Sequence, residues 1–304
     1  MLRAAMRFSG TYTALITPFR DGTIDARAFQ SLIERQIAGG VDGIIPCGTT
    51  GESPTLDPAE HHEVIRLAVE FAAGRCAVIA GSGANSTAEA VQLTAAAEKL
   101  GATGSLQVCP YYNKPSQQGL YLHFKAIADA TQLPIILYNV PGRSVIDIAP
   151  ETAARLAAEC PNITAIKEAS GSVDRVNQLM QSVAGDFTIL CGDDPLTLPF
   201  IACGAAGLVS VASNLIPDVI ARLVRACLNG SFDEALVIQK QYYPLMRGLM
   251  SLDVNPVPIK TAVALQGHCS PELRLPLAPL GADQTAKLTA LLESYNLLPG
   301  GGYH

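Results

Sequence analysis

Eight short apolar runs rich in β-branched residues recur along the chain, at 11–19, 43–48, 77–83, 105–112, 134–140, 163–170, 187–193 and 207–213. Each is close to continuous rather than alternating, the pattern of a strand covered on both faces. Between them the apolar period lengthens to that of a helix, over 25–39, 59–73, 87–100, 118–131, 150–159, 173–184 and a short stretch at 195–202. Helix-start signals precede several of these: Asp25, the pair Asp57-Pro58, and Ser86 three residues before Glu89. After residue 217 the alternation stops, and 217–229, 231–250, 256–266 and 283–297 all read as helices.

Strands that are apolar throughout and alternate with helices imply a parallel sheet under a helical cover. Eight such units predict an α/β fold of the (β/α)8 TIM-barrel type with a C-terminal helical extension. The expected division is a barrel domain over 1–226 and a helical region over 227–304. A doubly wound open sheet is the rival, but no G-x-G-x-x-G follows the first strand, and "GSGANS" at 81–86 lacks the spacing.

Composition narrows the function classes. The formal charge is −6 and no Lys/Arg block exists, which excludes the basic footprint of a nucleic-acid or anionic-membrane partner. The 8 cysteines never form a C-x-x-C pair, and several lie inside apolar runs as small hydrophobes, a pattern suited to a reducing cytoplasm. The N-terminal stretch carries Arg3 and Arg7 without a continuous apolar segment long enough for a signal peptide. The most membrane-like run, 200–216, contains glycines and Asn214 and reads as a buried helix, turn and strand.

In barrels of this type chemistry gathers where strands end. Those positions hold Thr49, Thr50 and Glu52; Tyr111 and Tyr112; Tyr138, Asn139 and Arg143; Lys167 and Glu168; and Asp193-Asp194. Lys167 sits inside "ITAIKEAS". Desolvation disfavours an ammonium, and a neutral amine attacks a ketone to form an imine, an electron sink for the adjacent carbon. The other reading pairs Lys167 with Glu168 or lets it snorkel from a strand end. Tyr112, Tyr138, Thr49 and Thr50, converging on one mouth, supply the proton traffic an imine needs. The turn "GTTGES" offers amides and hydroxyls to a small carboxylate, and Arg143 is either a fork for a second carboxylate or a surface arginine. Asp193-Asp194 reads as a cap on the next helix. None of His61, His62, His123, His268 and His304 ends a strand, so neither a metal nor a cofactor is expected.

With those residues in view, the sequence resembles the dihydrodipicolinate synthase (4-hydroxy-tetrahydrodipicolinate synthase) family of pyruvate-dependent Schiff-base lyases. The resemblance runs from about Thr11 to beyond Pro279. It rests on "GTTGES" (48–53), "AGSGAN" (80–85), "PYYNKPSQQGLYLHFKAIA" (110–128), "ILYNVPGR" (136–143), "IKEASG" (166–171), "NPVPIK" (255–260) and "LRLPLAP" (273–279). It implies that Lys167 forms the imine with pyruvate and that Tyr138 relays protons with Thr49 and with Tyr112 of a neighbouring subunit. It assigns the pyruvate carboxylate to Thr50 and the backbone around Val209, and the carboxylate of L-aspartate 4-semialdehyde to Arg143. It implies a cytoplasmic homotetramer, a dimer of dimers, on the diaminopimelate route to lysine. Ser53, His61, Asn85, Glu89 and Tyr111 match the cluster at which responsive members bind lysine. Pro58 stands where sensitive members often carry a histidine, so weak or moderate feedback is expected. Sugar-acid lyases of the N-acetylneuraminate or 2-keto-3-deoxy-gluconate type are the alternative; they share the lysine and tyrosine but generally not the Thr-Thr pair together with the arginine. A silent barrel used for binding is the remaining one.

Overall fold

The computed structural model describes residues 7–299; Arg3 and the start of the N-terminal stretch, like His304, lie outside them. Eight parallel strands close into a barrel: β1 (Gly10–Ala14), β2 (Gly43–Ile45), β3 (Ala77–Gly81), β4 (Gly104–Val108), β5 (Ile135–Asn139), β6 (Ile163–Glu168), β7 (Thr188–Cys191) and β8 (Gly207–Ser210). Each pairs with its sequence neighbours, and β1 closes the ring between β8 and β2. The helices outside are α1 (Ala26–Ala38), α2 (Pro58–Ala72), α3 (Thr87–Lys99), α4 (Gln117–Asp129), α5 (Pro150–Glu159), α6 (Val173–Ser182), α7 (Thr197–Ala202) and α8 (Pro217–Leu228). Three more follow: α9 (Phe232–Ser251), α10 (Val257–Leu265) and α11 (Ala282–Glu293).

The start signals act as read. The Asp25 carboxylate accepts from the Ala28 amide at 3.0 Å, and Asp57 and Glu60 form a reciprocal capping box at the head of α2. The run 200–216 resolves into the end of α7, β8 and a short helical turn at Ala212–Asn214. No described helix is long and apolar enough to cross a membrane.

The alternation of side chains along each strand decides what the barrel does. Ile136, Tyr138 and Val140 belong to the cluster filling the barrel, whereas Ile135 and Leu137 pack outward against the helices. On β6, Ala165 faces inward, as does Ala169 just past its end, while Ile163 and Ile166 face outward. Lys167 therefore shares the inward face with Ala165. Near-continuous apolarity follows, because both faces of every strand are covered. Phe8, packed edge-on against Tyr12 at 6.0 Å, joins the interior cluster.

The extension is anchored on the barrel rather than appended loosely. Helix α9 packs against α8 and α11, and seven residues of α10 from Val257 to Val263 are buried, Lys260 included. The 8 cysteines are all unbridged; burial pushes the thiols of Cys47 and Cys109 well up, so they pack as apolar groups.

Candidate active site

Adjacent strands place the two central residues side by side: Tyr138 of β5 pairs in register with Lys167 of β6. Lys167 Nζ lies 4.0 Å from the centroid of the Tyr138 ring. Both side chains are buried, and Lys167 makes no hydrogen bond or salt bridge among the described residues. Glu168 cannot be its partner, because the next residue on a strand faces the other way. Its carboxylate instead accepts from Asn139 Nδ2 at 2.9 Å and from the Ser170 amide at 2.7 Å. Space for the lysine comes from Gly192 after β7: a Cβ there would lie 3.2 Å from Lys167 Cε and 2.7 Å from Ala169 Cβ.

The turn after β2 supplies the threonines. Glu52 closes it in the left-handed region at φ 56°, and its buried carboxylate accepts from Lys260 Nζ at 2.6 Å and from the Arg274 amide at 3.1 Å. Thr50 is buried, and its Oγ1 accepts from Asn255 Nδ2 at 3.1 Å. A single helical turn after β5, Pro141–Ser144, carries Arg143, whose Nη2 donates to the Asn255 carbonyl at 3.1 Å. Arg143 is exposed, but this bond tethers it at the mouth, where it lines the cavity that runs toward α2 and α3.

Val209, on β8, is buried in the barrel interior. The segment that follows it is held by Asp194, which corrects the reading of that residue as a helix cap. The Asp194 carboxylate accepts from the Ser210 hydroxyl and from the amides of Val211 and Ala212, at 2.9 and 3.0 Å. Burial raises its pKa, opposed by those hydrogen bonds.

The structure corrects the expectation that both tyrosines converge on this mouth. Tyr112 is 88% exposed, with φ 74°, and is not among the residues lining the cavity at this mouth. A β-carbon-bearing residue adopts that backbone region only under local constraint.

A cavity of about 380 Å3 runs from this mouth toward α2 and α3. Thr49, Tyr138, Val140 and Arg143 line one part of it, and Ser53, Pro58, His61, Glu89 and Tyr111 line another. Lys167 is not on its wall; its neighbour Tyr138 is. The buried His61 Nε2 lies 2.9 Å from the Gly81 carbonyl, which fixes the proton on that nitrogen and leaves Nδ1 without a partner among the described residues; burial lowers its pKa. Asn85 Nδ2 donates to the Tyr111 carbonyl at 3.3 Å, and burial raises the Tyr111 hydroxyl, Glu89 adding to the effect.

Asn255 and Lys260 are parts of this arrangement that reading strand ends does not find, and the strand-end residues Glu52 and Asp194 have partners there that sequence does not reveal. Lys260 and Asn255 share one motif, "NPVPIK", and the single charged residue of the mostly apolar α10 is the signal that could have drawn attention to them.

A closed (β/α)8 barrel with an unpaired lysine inside its sixth strand, flanked by a tyrosine and a hydroxyl-bearing turn, defines the class of lysine-centred barrel enzymes. The Dihydrodipicolinate synthetase family matches residues 7–295. The chain belongs to that family. It is 50% identical over 291 residues to the 4-hydroxy-tetrahydrodipicolinate synthase of Pelobacter propionicus, covering 96% of this chain and 100% of the relative. Dihydrodipicolinate synthase from Aquifex aeolicus superposes with a TM-score of 0.95 at 47% identity, over 96% of this chain and 100% of that one. The 4-hydroxy-tetrahydrodipicolinate synthase of Methylacidiphilum fumariolicum SolV superposes at 0.93 with 54% identity, over 94% and 95%.

Proposed function

We propose that the protein condenses pyruvate with L-aspartate 4-semialdehyde to 4-hydroxy-tetrahydrodipicolinate through an imine on Lys167. The observation that carries this reading is the buried Lys167 amine, lying against Tyr138 with no carboxylate to hold it as an ion pair. The amine adds to the pyruvate ketone and water leaves, giving an iminium. Loss of a methyl proton converts this to an enamine, whose carbon attacks the aldehyde. The amino group of the second substrate then attacks the former ketone carbon, closing the ring and releasing Lys167. Tyr138 passes protons at each stage with Thr49 and with Tyr112 of a second subunit. Thr50 and the backbone at Val209 bind the pyruvate carboxylate, and Arg143 binds that of the semialdehyde in two-pronged fashion.

Self-association completes the site. Exposed Tyr112 reaches a neighbour's mouth, and Phe232, Leu236, Val237 and Tyr243 leave an apolar face of α9 exposed for a further contact between copies. A homotetramer built as a dimer of dimers, working in the cytoplasm, accommodates both surfaces. Lysine bound by Ser53, His61, Asn85, Glu89 and Tyr111 acts as a weak or moderate feedback inhibitor; unchanged turnover under a millimolar lysine titration removes that role.

The test is pyruvate consumption with L-aspartate 4-semialdehyde, N-acetylmannosamine and glyceraldehyde in parallel. Turnover with the semialdehyde alone is expected. Turnover with a sugar aldehyde alone keeps the imine but makes the protein a sugar-acid lyase.

A further inference from the structure

One residue of the C-terminal region touches both groups assigned to substrate carboxylates. Asn255 lies just before α10, is buried, and presents its side-chain N–H to Thr50 Oγ1 while its backbone carbonyl receives the Arg143 guanidinium, each at 3.1 Å. A hydroxyl has one proton and two lone pairs. Because Thr50 already accepts from Asn255 and donates to no described group, its proton remains free for an incoming acceptor. An oxygen in place of that N–H would take the Thr50 proton and leave two acceptors facing the anion. Asn255 Oδ1, buried and without a partner among the described residues, shows that the amide is not spent on another contact.

We propose that Asn255 is a positioning residue that aims the Thr50 proton at the pyruvate carboxylate, while its backbone carbonyl holds Arg143 for the second substrate. The proposal rests on the synthase reading above. It makes the helical extension part of the active site: the residue that orders the barrel's carboxylate turn comes from beyond the barrel. It also separates the two substrates, because a side-chain change at 255 disturbs Thr50 directly and leaves the carbonyl that holds Arg143 in place.

The experiment is borohydride trapping of pyruvate on the full-length enzyme, read by intact mass across pyruvate concentrations, with steady-state kinetics alongside. Asn255→Ala removes one hydrogen bond and should raise the half-saturating pyruvate concentration about fivefold, with kcat and the KM for the semialdehyde within about twofold. Asn255→Asp is nearly isosteric but reverses the polarity, and should raise it roughly thirtyfold. A packing role predicts the opposite order, with Asp the milder change. In a Thr50→Val background the effect of Asn255→Ala should vanish, and this pair suffices if the Asp variant does not fold. An Asp variant milder than Ala, or an Ala effect that persists without the Thr50 hydroxyl, overturns the proposal. Absence of a trapped adduct in the wild-type enzyme overturns the synthase reading and this inference with it, whereas normal wild-type trapping with an unchanged Asn255→Ala curve overturns only the inference.

Discussion

Two buried lysines in this molecule occupy nearly the same local setting, and the proposed mechanism gives them opposite tasks. Lys167 Nζ lies 4.0 Å from the Tyr138 ring centroid inside the barrel, and Lys260 Nζ lies 4.1 Å from the Phe19 ring centroid beneath the carboxylate turn. Lys260 is fully buried and meets Glu52 Oε1 at 2.6 Å. Burial pulls its pKa down, and Glu52 pulls it back. Lys167 has an aromatic face and no carboxylate at ion-pair distance among the described residues; Asp194 acts on it only through space. Burial and an aromatic neighbour are common to both, so neither makes a nucleophile. On the proposed mechanism the missing ion pair does: an amine locked in a short ion pair is a clamp, and one left without such a partner is free to react.

The largest effect that separates the two is on turnover. Lys167→Ala should lower kcat by roughly a thousandfold or more, because the covalent route is lost. Its melting temperature should stay level or rise, since no partner is left unpaired. Steady-state assay with thermal unfolding checks both; a Lys167→Ala protein that still traps pyruvate sinks the assignment. Tyr138→Phe keeps the ring beneath the amine and removes the proton carrier, and should cost roughly a hundredfold in kcat while borohydride trapping still marks Lys167. Lys260→Met inverts the pattern. Leaving the Glu52 carboxylate buried without its cation should destabilise the fold by about 3–5 kcal/mol in denaturant titration, while Lys167 still forms its adduct at raised pyruvate. Arg143→Ala should spare the adduct and raise the KM for the semialdehyde about tenfold or more, through the lost two-pronged contact.

How much of this contrast can be read from the chain depends on whether the signal is local. Strand and helix order is legible because each apolar run and each cap is a property of neighbours in sequence; Asp57-Pro58 announces α2 by itself. Lys167 and Tyr138 are legible because an odd polar residue in an apolar run carries its own inconsistency. What sequence leaves open depends on distant partners. The Glu52–Lys260 pair joins residues 208 positions apart, and Asn255 lies 205 positions from Thr50, with no shared period to reveal either. Asp194 looks like a cap because aspartate before a helix usually is one, yet its partners arrive from the next strand's loop. Tyr112 reads as a member of the mouth because strand-end position is visible in sequence and its left-handed backbone is not.

The smallest effect tests the clamp most directly. If Lys260 serves Glu52 only by compensating its charge, then removing both charges should recover most of what the single change loses. Lys260→Met combined with Glu52→Gln leaves a neutral amide whose oxygen still accepts from the Arg274 amide, 3.1 Å from the carboxylate in the present arrangement. Neutral replacement of a buried pair is often close to even in stability, so the double variant should lie within about 1 kcal/mol of wild type. Its pyruvate saturation should also return to within a few-fold, because Asn255 still holds Thr50. A double variant as unstable as Lys260→Met alone would show that the lysine acts through packing of its stem on Phe19 rather than through its charge. The two lysines would then differ in what their stems touch, and not only in whether an anion is present.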